Sequence, residues 1–194
     1  MSTVNRRIIL AARPVGFPKD SDFNLVESAI PIPGDGQILV RSIYLSVDPY
    51  MRGRMNDVKS YAPPVQIGEV MGGGAVGKVV KSNNPQFKEG DVGGAITDAV
   101  FRLINTRARI SPEMGPRIIL TMLLVRQAKA EGFLVSQFAD RYPEGLRQMA
   151  QWLKEGKLKY KEDIEHGLEN TPRAFMAMLK GRNLGKQLVK VANE

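Results

Sequence analysis

The sequence predicts a mixed α/β chain on three observations: a first half punctuated like β structure, a second half alternating helical periodicity with short strand candidates, and one C-terminal helix with clear boundaries. In the first half, the runs RRIILAA, QILVRSIYLSV and VGKVVKS are separated by ARPVGFP, IPIPGDG and SNNPQFKEGD. Apolar or alternating runs between Gly, Pro and Asn clusters are expected of antiparallel strands closing a barrel or sandwich. Helix signals are scarce before position 93. Beyond it, apolar residues recur at helical spacing in TDAVFRLIN, RIILTMLLVRQ, YPEGLRQMAQWLKEG and TPRAFMAMLKG, with RARI, EGFLVSQ and KQLVKVA as strand candidates. Helix followed by strand, repeatedly, is α/β grammar. Thr171 is a capping residue ahead of Pro172 in the first turn, and Gly181 stands where a C-terminal cap belongs. Leu146, Met149, Trp152 and Leu153 fall at helical spacing and are expected in the core.

Composition removes several classes of function. With no cysteine among 194 residues there is no disulfide framework, no thiolate zinc site and no cysteine nucleophile, which fits a reducing cytoplasm. The single histidine, His166, cannot build a multi-histidine metal site, so no metal is expected. A Ser-His-Asp triad would have to run through it, and no G-x-S-x-G elbow accompanies it. In EDIEHG it reads as a surface residue. The net charge of +8 invites a nucleic-acid reading. The basic residues are interleaved with acids, as in KEGKLKYKEDIEHG, and no nucleic-acid-binding motif is present, so a solvated mixed surface is expected. The apolar run IILTMLLV is far short of the roughly 20 residues a membrane span requires, and MSTVNRRIIL lacks the apolar region and cleavage site of a secretory signal.

The stretch GGGAVGK, Gly72 to Lys78, satisfies G-x-G-x-x-G and misses the P-loop pattern by one residue, because Val79 stands where a hydroxyl is needed. A dinucleotide fingerprint works only where a strand delivers its glycines to a turn and a helix N-terminus follows. Here KVVKSNNPQF follows, with β-branched residues and an Asn-Asn-Pro turn. A ribose-binding acid about 20 residues on would fall near Asp91, inside a turn. The glycines therefore read as strand backbone at a bulge or close approach.

Four long strings carry a family resemblance: YLSVDPYMRGRM from Tyr44 to Met55, GGGAVGKVVKSNNPQFKEGD, AEGFLV from Ala130 to Val135, and WLKEGKLKYKEDIEHGLENTPRAFMAMLKGRNLGK. With them the chain resembles the medium-chain dehydrogenase/reductases, in the zinc-independent, NADP-dependent branch of prostaglandin reductases, alkenal double-bond reductases and curcumin-reductase-like enzymes. The resemblance implies a GroES-like β-barrel catalytic domain plus a truncated remnant of a Rossmann-type parallel α/β domain. It implies the first part of the catalytic domain in residues 1–92, the nucleotide-binding remnant in 93–156, and a return to the catalytic domain in 157–194. In the family GGGAVG lies in the barrel, and the phosphate-binding glycine loop comes later. Here GGAITDAVFRLINTRARI follows Asp91-Val92 at once, and a second gap follows Ile110, which suggests an internal deletion, natural or engineered.

The implied reaction is hydride transfer from NADPH to the β-carbon of an alkene conjugated to a carbonyl, with protonation at the α-carbon; quinones are a further substrate class. The protein's part is to orient the cofactor and polarise the carbonyl. By resemblance Tyr50 and Tyr61 line the substrate side, and each has packing as the plain alternative. Phe133, Leu134 and Val135 lie along the nicotinamide, or serve a buried strand. Asn183 in GRNLGK contacts the cofactor, or caps the helix. Some members carry a tyrosine acid eight residues before the phenylalanine; Val125 stands there, so no catalytic acid is assigned. Without the glycine loop, NADP(H) binding is expected to be weak or absent and activity low, the alternative being a non-catalytic GroES-like module. The family pairs subunits through the EGFLV region, which implies a homodimer or other self-association.

Overall fold

The computed structural model describes residues 4–58, 62–94, 123–127 and 135–193. The chain divides into two compact units, residues 1–99 with 160–194, and residues 100–159. In the first unit, β1 (Asn5–Leu10) and β2 (Phe23–Ser28) pair antiparallel, with Leu10 opposite Phe23. A second sheet holds β3 (Ile38–Ser46), β4 (Ala75–Ser82), β5 (Val92–Gly94), β6 (Glu162–His166) and β7 (Lys186–Lys190), in the order β5-β4-β3-β7-β6. Its pairs are antiparallel except β6 with β7. Among the described residues the longer α-helices are α1 (Tyr50–Arg54), α2 (Tyr142–Lys154) and α3 (Thr171–Leu179), α2 belonging to the second unit.

The β-rich first half follows the alternation of its runs, whereas two elements of this unit carry weak sequence signals. Helix α1 has five residues, begins after Pro49 and contains Gly53, too little for a periodicity to show. Strand β6 is EDIEH, read from sequence as surface. It alternates exposed and half-buried positions, and a parallel partner needs a long crossover, which α3 supplies. That helix runs as its boundary signals predict, with Gly181 at φ +68 beyond its end. Its start lies one residue earlier than expected: Asn170 takes the cap position, Thr171 is the first helical residue, and the buried Thr171 Oγ1 has no hydrogen-bond partner.

The core of this unit is built from both ends of its sequence. Met51 and Met55 of α1, Ala174, Phe175 and Met178 of α3, Val189 of β7, and Leu10, Val47 and Val65 form one buried cluster. Positions 174, 175 and 178 share one helical face, and Phe175 meets Phe23 edge-on at 6.1 Å between ring centres. Residues 160–194 thereby share a core with residues from the first hundred.

In the second unit, α2 carries the apolar stripe expected of it but buries only Met149. Leu146 is half-buried, and Trp152 is 42% and Leu153 40% exposed, against the expectation of core. The stripe is present, and cover reaches only its middle. The EGFLVSQ strand is also corrected where it is described: Val135–Gln137 open a 3-10 segment, Val135–Arg141, that runs directly into α2. TDAVFRLIN and RARI lie outside the described residues, and within RIILTMLLVRQ residues 123–126 are helical.

Candidate functional site

The glycine run sits where its sequence context places it. Residues from Ala75 onward form β4, held antiparallel between β3 and β5, with Gly77 opposite Ser42 on one side and Gly93 on the other. The Gly74 carbonyl accepts the Ser46 amide at 2.8 Å. After Ser82 comes a turn tied by the Ser82 hydroxyl to the Asn84 and Phe87 carbonyls, then β5. The glycines lead into a strand and not into a helix N-terminus, so they do not fit a pyrophosphate. Their use is close approach. A side chain at Gly77 would lie 2.5 Å from Val40 Cγ1 and 2.7 Å from the Arg41 carbonyl, beside the register shifts of β3. One at Gly73 would lie 2.5 Å from Met51 Cε and 3.7 Å from the Tyr50 hydroxyl. The run lets the approach to β4 press against α1.

Tyr50, the expected substrate-side tyrosine, is the first residue of α1 and is half-buried, with its hydroxyl beside Gly73. The chain just ahead of it is held by a buried polar network. Lys186 Nζ donates to Asp48 Oδ1 at 2.5 Å and to the Val47 carbonyl at 3.1 Å, and the Ser46 hydroxyl donates to Asp48 Oδ2 at 2.5 Å. The side chains of Asp48 and Lys186 are 6% and 10% exposed. Both carboxylate oxygens therefore have partners, which a buried charge requires. The Asp48 carbonyl also accepts the Met51 amide, opening α1.

Asn183 lies in the turn before β7, and its amide nitrogen donates to the Gly185 carbonyl at 2.7 Å, holding that turn rather than the end of α3. Gly185 adopts φ +96 against the Lys161 carbonyl, a position only glycine takes without strain. Val135 is half-buried at the start of its 3-10 segment, in the second unit. Tyr61, Phe133 and Leu134 lie outside the described residues. Val125 is exposed. His166 is exposed on the edge strand β6. The first unit thus links Tyr50 and Asn183 through residues that sequence reasoning did not single out, Ser46, Asp48 and Lys186. The signal lay in SVDPY and NLGK, where a charge interrupts an alternating or apolar run, but the partners stand 138 residues apart.

A largely antiparallel β unit is completed by a C-terminal helix and two strands, with the second unit inserted in the sequence between them, the architecture of a two-domain α/β chain. Residues 6–98 match the N-terminal domain of oxidoreductases, and residues 78–189 match the zinc-binding dehydrogenase domain. The chain belongs to the zinc-binding dehydrogenase family of medium-chain dehydrogenase/reductases, with their GroES-like and Rossmann-like fold. The family's description mentions zinc, yet a chain with no cysteine and one histidine cannot furnish the usual thiolate and imidazole ligand sets.

Among its relatives is the NADPH-dependent curcumin reductase of Escherichia coli, 28% identical, with 98% of each chain covered. Another is the NADP(+)-dependent 2-alkenal reductase of Nicotiana tabacum, 22% identical, again with 98% of each covered. The crystal structure of CurA from Vibrio vulnificus superposes with a TM-score of 0.79 at 25% identity, covering 97% of this chain and 99% of that one. The alignment with the curcumin reductase runs over 337 positions, whereas this chain has 194 residues. A long internal stretch of that relative therefore has no counterpart here.

Proposed function

We propose that this chain retains the substrate side of an NADPH-dependent reductase of carbon–carbon double bonds conjugated to a carbonyl, and that it holds NADPH weakly and has little reductase activity. The observation that carries this is that the GGGAVG run leads into the antiparallel strand β4, which begins at Ala75, and not into a helix N-terminus, in a chain that lacks an internal stretch present in its relative. The names of the relatives support the reaction class. In this reading residues 1–92 and 157–194 make the catalytic domain and 93–156 are the remnant of the nucleotide-binding domain. Tyr50 and Tyr61 face the substrate, Phe133, Leu134 and Val135 face the nicotinamide, and Asn183 contacts the cofactor. The protein is cytoplasmic and self-associates, through the EGFLV region as in the family.

The glycine observation also favours a second reading, a GroES-like module kept without catalysis. Loss of NADPH absorbance with cyclohexenone, and separately with a simple quinone, distinguishes the two. The first reading predicts turnover above the protein-free blank but at least about a hundredfold below the E. coli curcumin reductase, because a poorly held reactant costs on that scale. A rate equal to that enzyme's overturns the proposal of weak activity; a rate equal to the blank selects the second reading.

A further inference from the structure

We propose that the buried Asp48–Lys186 ion pair is a positioning device that fixes Tyr50 relative to the turn carrying Asn183. The inference rests on the reading of Tyr50 and Asn183 as ligand-facing residues. Asp48 lies two residues before Tyr50, and Lys186 three residues after Asn183. One salt link, 2.5 Å long, therefore joins the two segments directly. Lys186 is fixed from its own side as well, since its amide donates to the Lys161 carbonyl at 2.8 Å and Gly185 turns the chain immediately before it.

A buried ion pair contributes little net stability, because removing two charges from water costs about as much as their attraction returns. Apolar side chains of similar volume in place of such a pair are often neutral or stabilising. What they would not supply is direction. Lys186 reaches both the Asp48 carboxylate and the Val47 carbonyl, and Ser46 holds the second carboxylate oxygen, so three hydrogen bonds set the angle at which the chain enters α1. Tyr50, the first residue of that helix, then lies with its hydroxyl against the open side of Gly73.

The test uses the full chain with 3-fluorotyrosine placed at position 50 or, as a control, at position 44 on β3. Fluorine NMR spectra are compared for the wild type, the double variant Asp48→Asn/Lys186→Met, and Lys186→Arg, which keeps the charge. Removing both charges leaves no unpaired ion, so the double variant is expected to melt close to the wild type. Its position-50 resonance is expected to be displaced or doubled, with the position-44 resonance unmoved and Lys186→Arg returning close to the wild-type shift. An unmoved position-50 resonance in the double variant overturns the proposal, and so does an equal displacement at position 44, which marks a merely structural role. Titrating cyclohexenone into the wild type tests the underlying reading separately. A position-50 resonance that ignores the enone rejects the substrate role of Tyr50, while the ligand-free spectra still decide whether the pair positions it.

Discussion

Gly185 and Gly16 both have positive φ, +96 and +76, but only Gly185 has a carbonyl, that of Lys161, where a Cβ would stand. Left-handed strain alone costs about 1 kcal/mol for alanine, and overlap with backbone adds to it because the carbonyl cannot rotate away. Gly185→Ala is therefore expected to lose at least about 2 kcal/mol in urea unfolding, and Gly16→Ala about half of that. Equal losses would show that the Lys161 carbonyl gives way. At this level the sequence was legible where a residue's neighbours in the chain decide its state. GGGAVG reads as strand because KVVKS follows it. Asn183 was less legible: GRNLGK offered a helix cap or a cofactor contact, and its side chain instead holds the turn before β7. Asp48 and Lys186 were not legible, since what makes each of them tolerable when buried is the other.

Helix α3 was the most legible element and is also among the most buried: Phe175 and Met178 fill the core against Val189, which has no exposed surface. Phe175→Ala is expected to cost about 3–5 kcal/mol and Met55→Ala about 2–5 kcal/mol. Trp152→Ala on α2 should cost well under half of the Phe175 value despite the larger side chain, because Trp152 is half out in solvent. A Trp152 loss matching that of Phe175 would contradict the partial cover of α2. The same helix end carries Glu155, whose carboxyl is held below the usual range first by Lys157 and then by Gln151. A lowered pKa in the folded state means a contribution present above the ordinary carboxylate pKa and lost as pH falls through the folded value. Residue-resolved NMR titration should find Glu155 titrating below a free glutamate, and Lys157→Met should move it back up. Elements whose pattern is mostly charge, such as EDIEH in β6, were illegible because their place is fixed by a partner strand and not by burial of their own side chains.

Two compact units, one of them assembled from both ends of the sequence, follow from a core that needs α3 and β7 as much as the first strands. The α/β class was legible from punctuation and periodicity, while the way residues 160–194 join the first unit rests on contacts between distant segments. Among the described residues β5 and β6 stand at the ends of the five-stranded sheet, and Val92 is 65% and Ile67 60% exposed. Open edges and exposed apolar residues favour association, so sizing chromatography is expected to give an apparent mass above 21.5 kDa, rising with concentration. Monomeric elution at high concentration would contradict the proposed self-association. That the glycine run leads into β4 and leaves this chain a poor hold on the pyrophosphate is tested by titrating NADPH fluorescence with the full chain beside the E. coli curcumin reductase. No saturation is expected at concentrations that saturate the relative; tight, stoichiometric, saturable binding by this chain would overturn the proposal of weak cofactor binding.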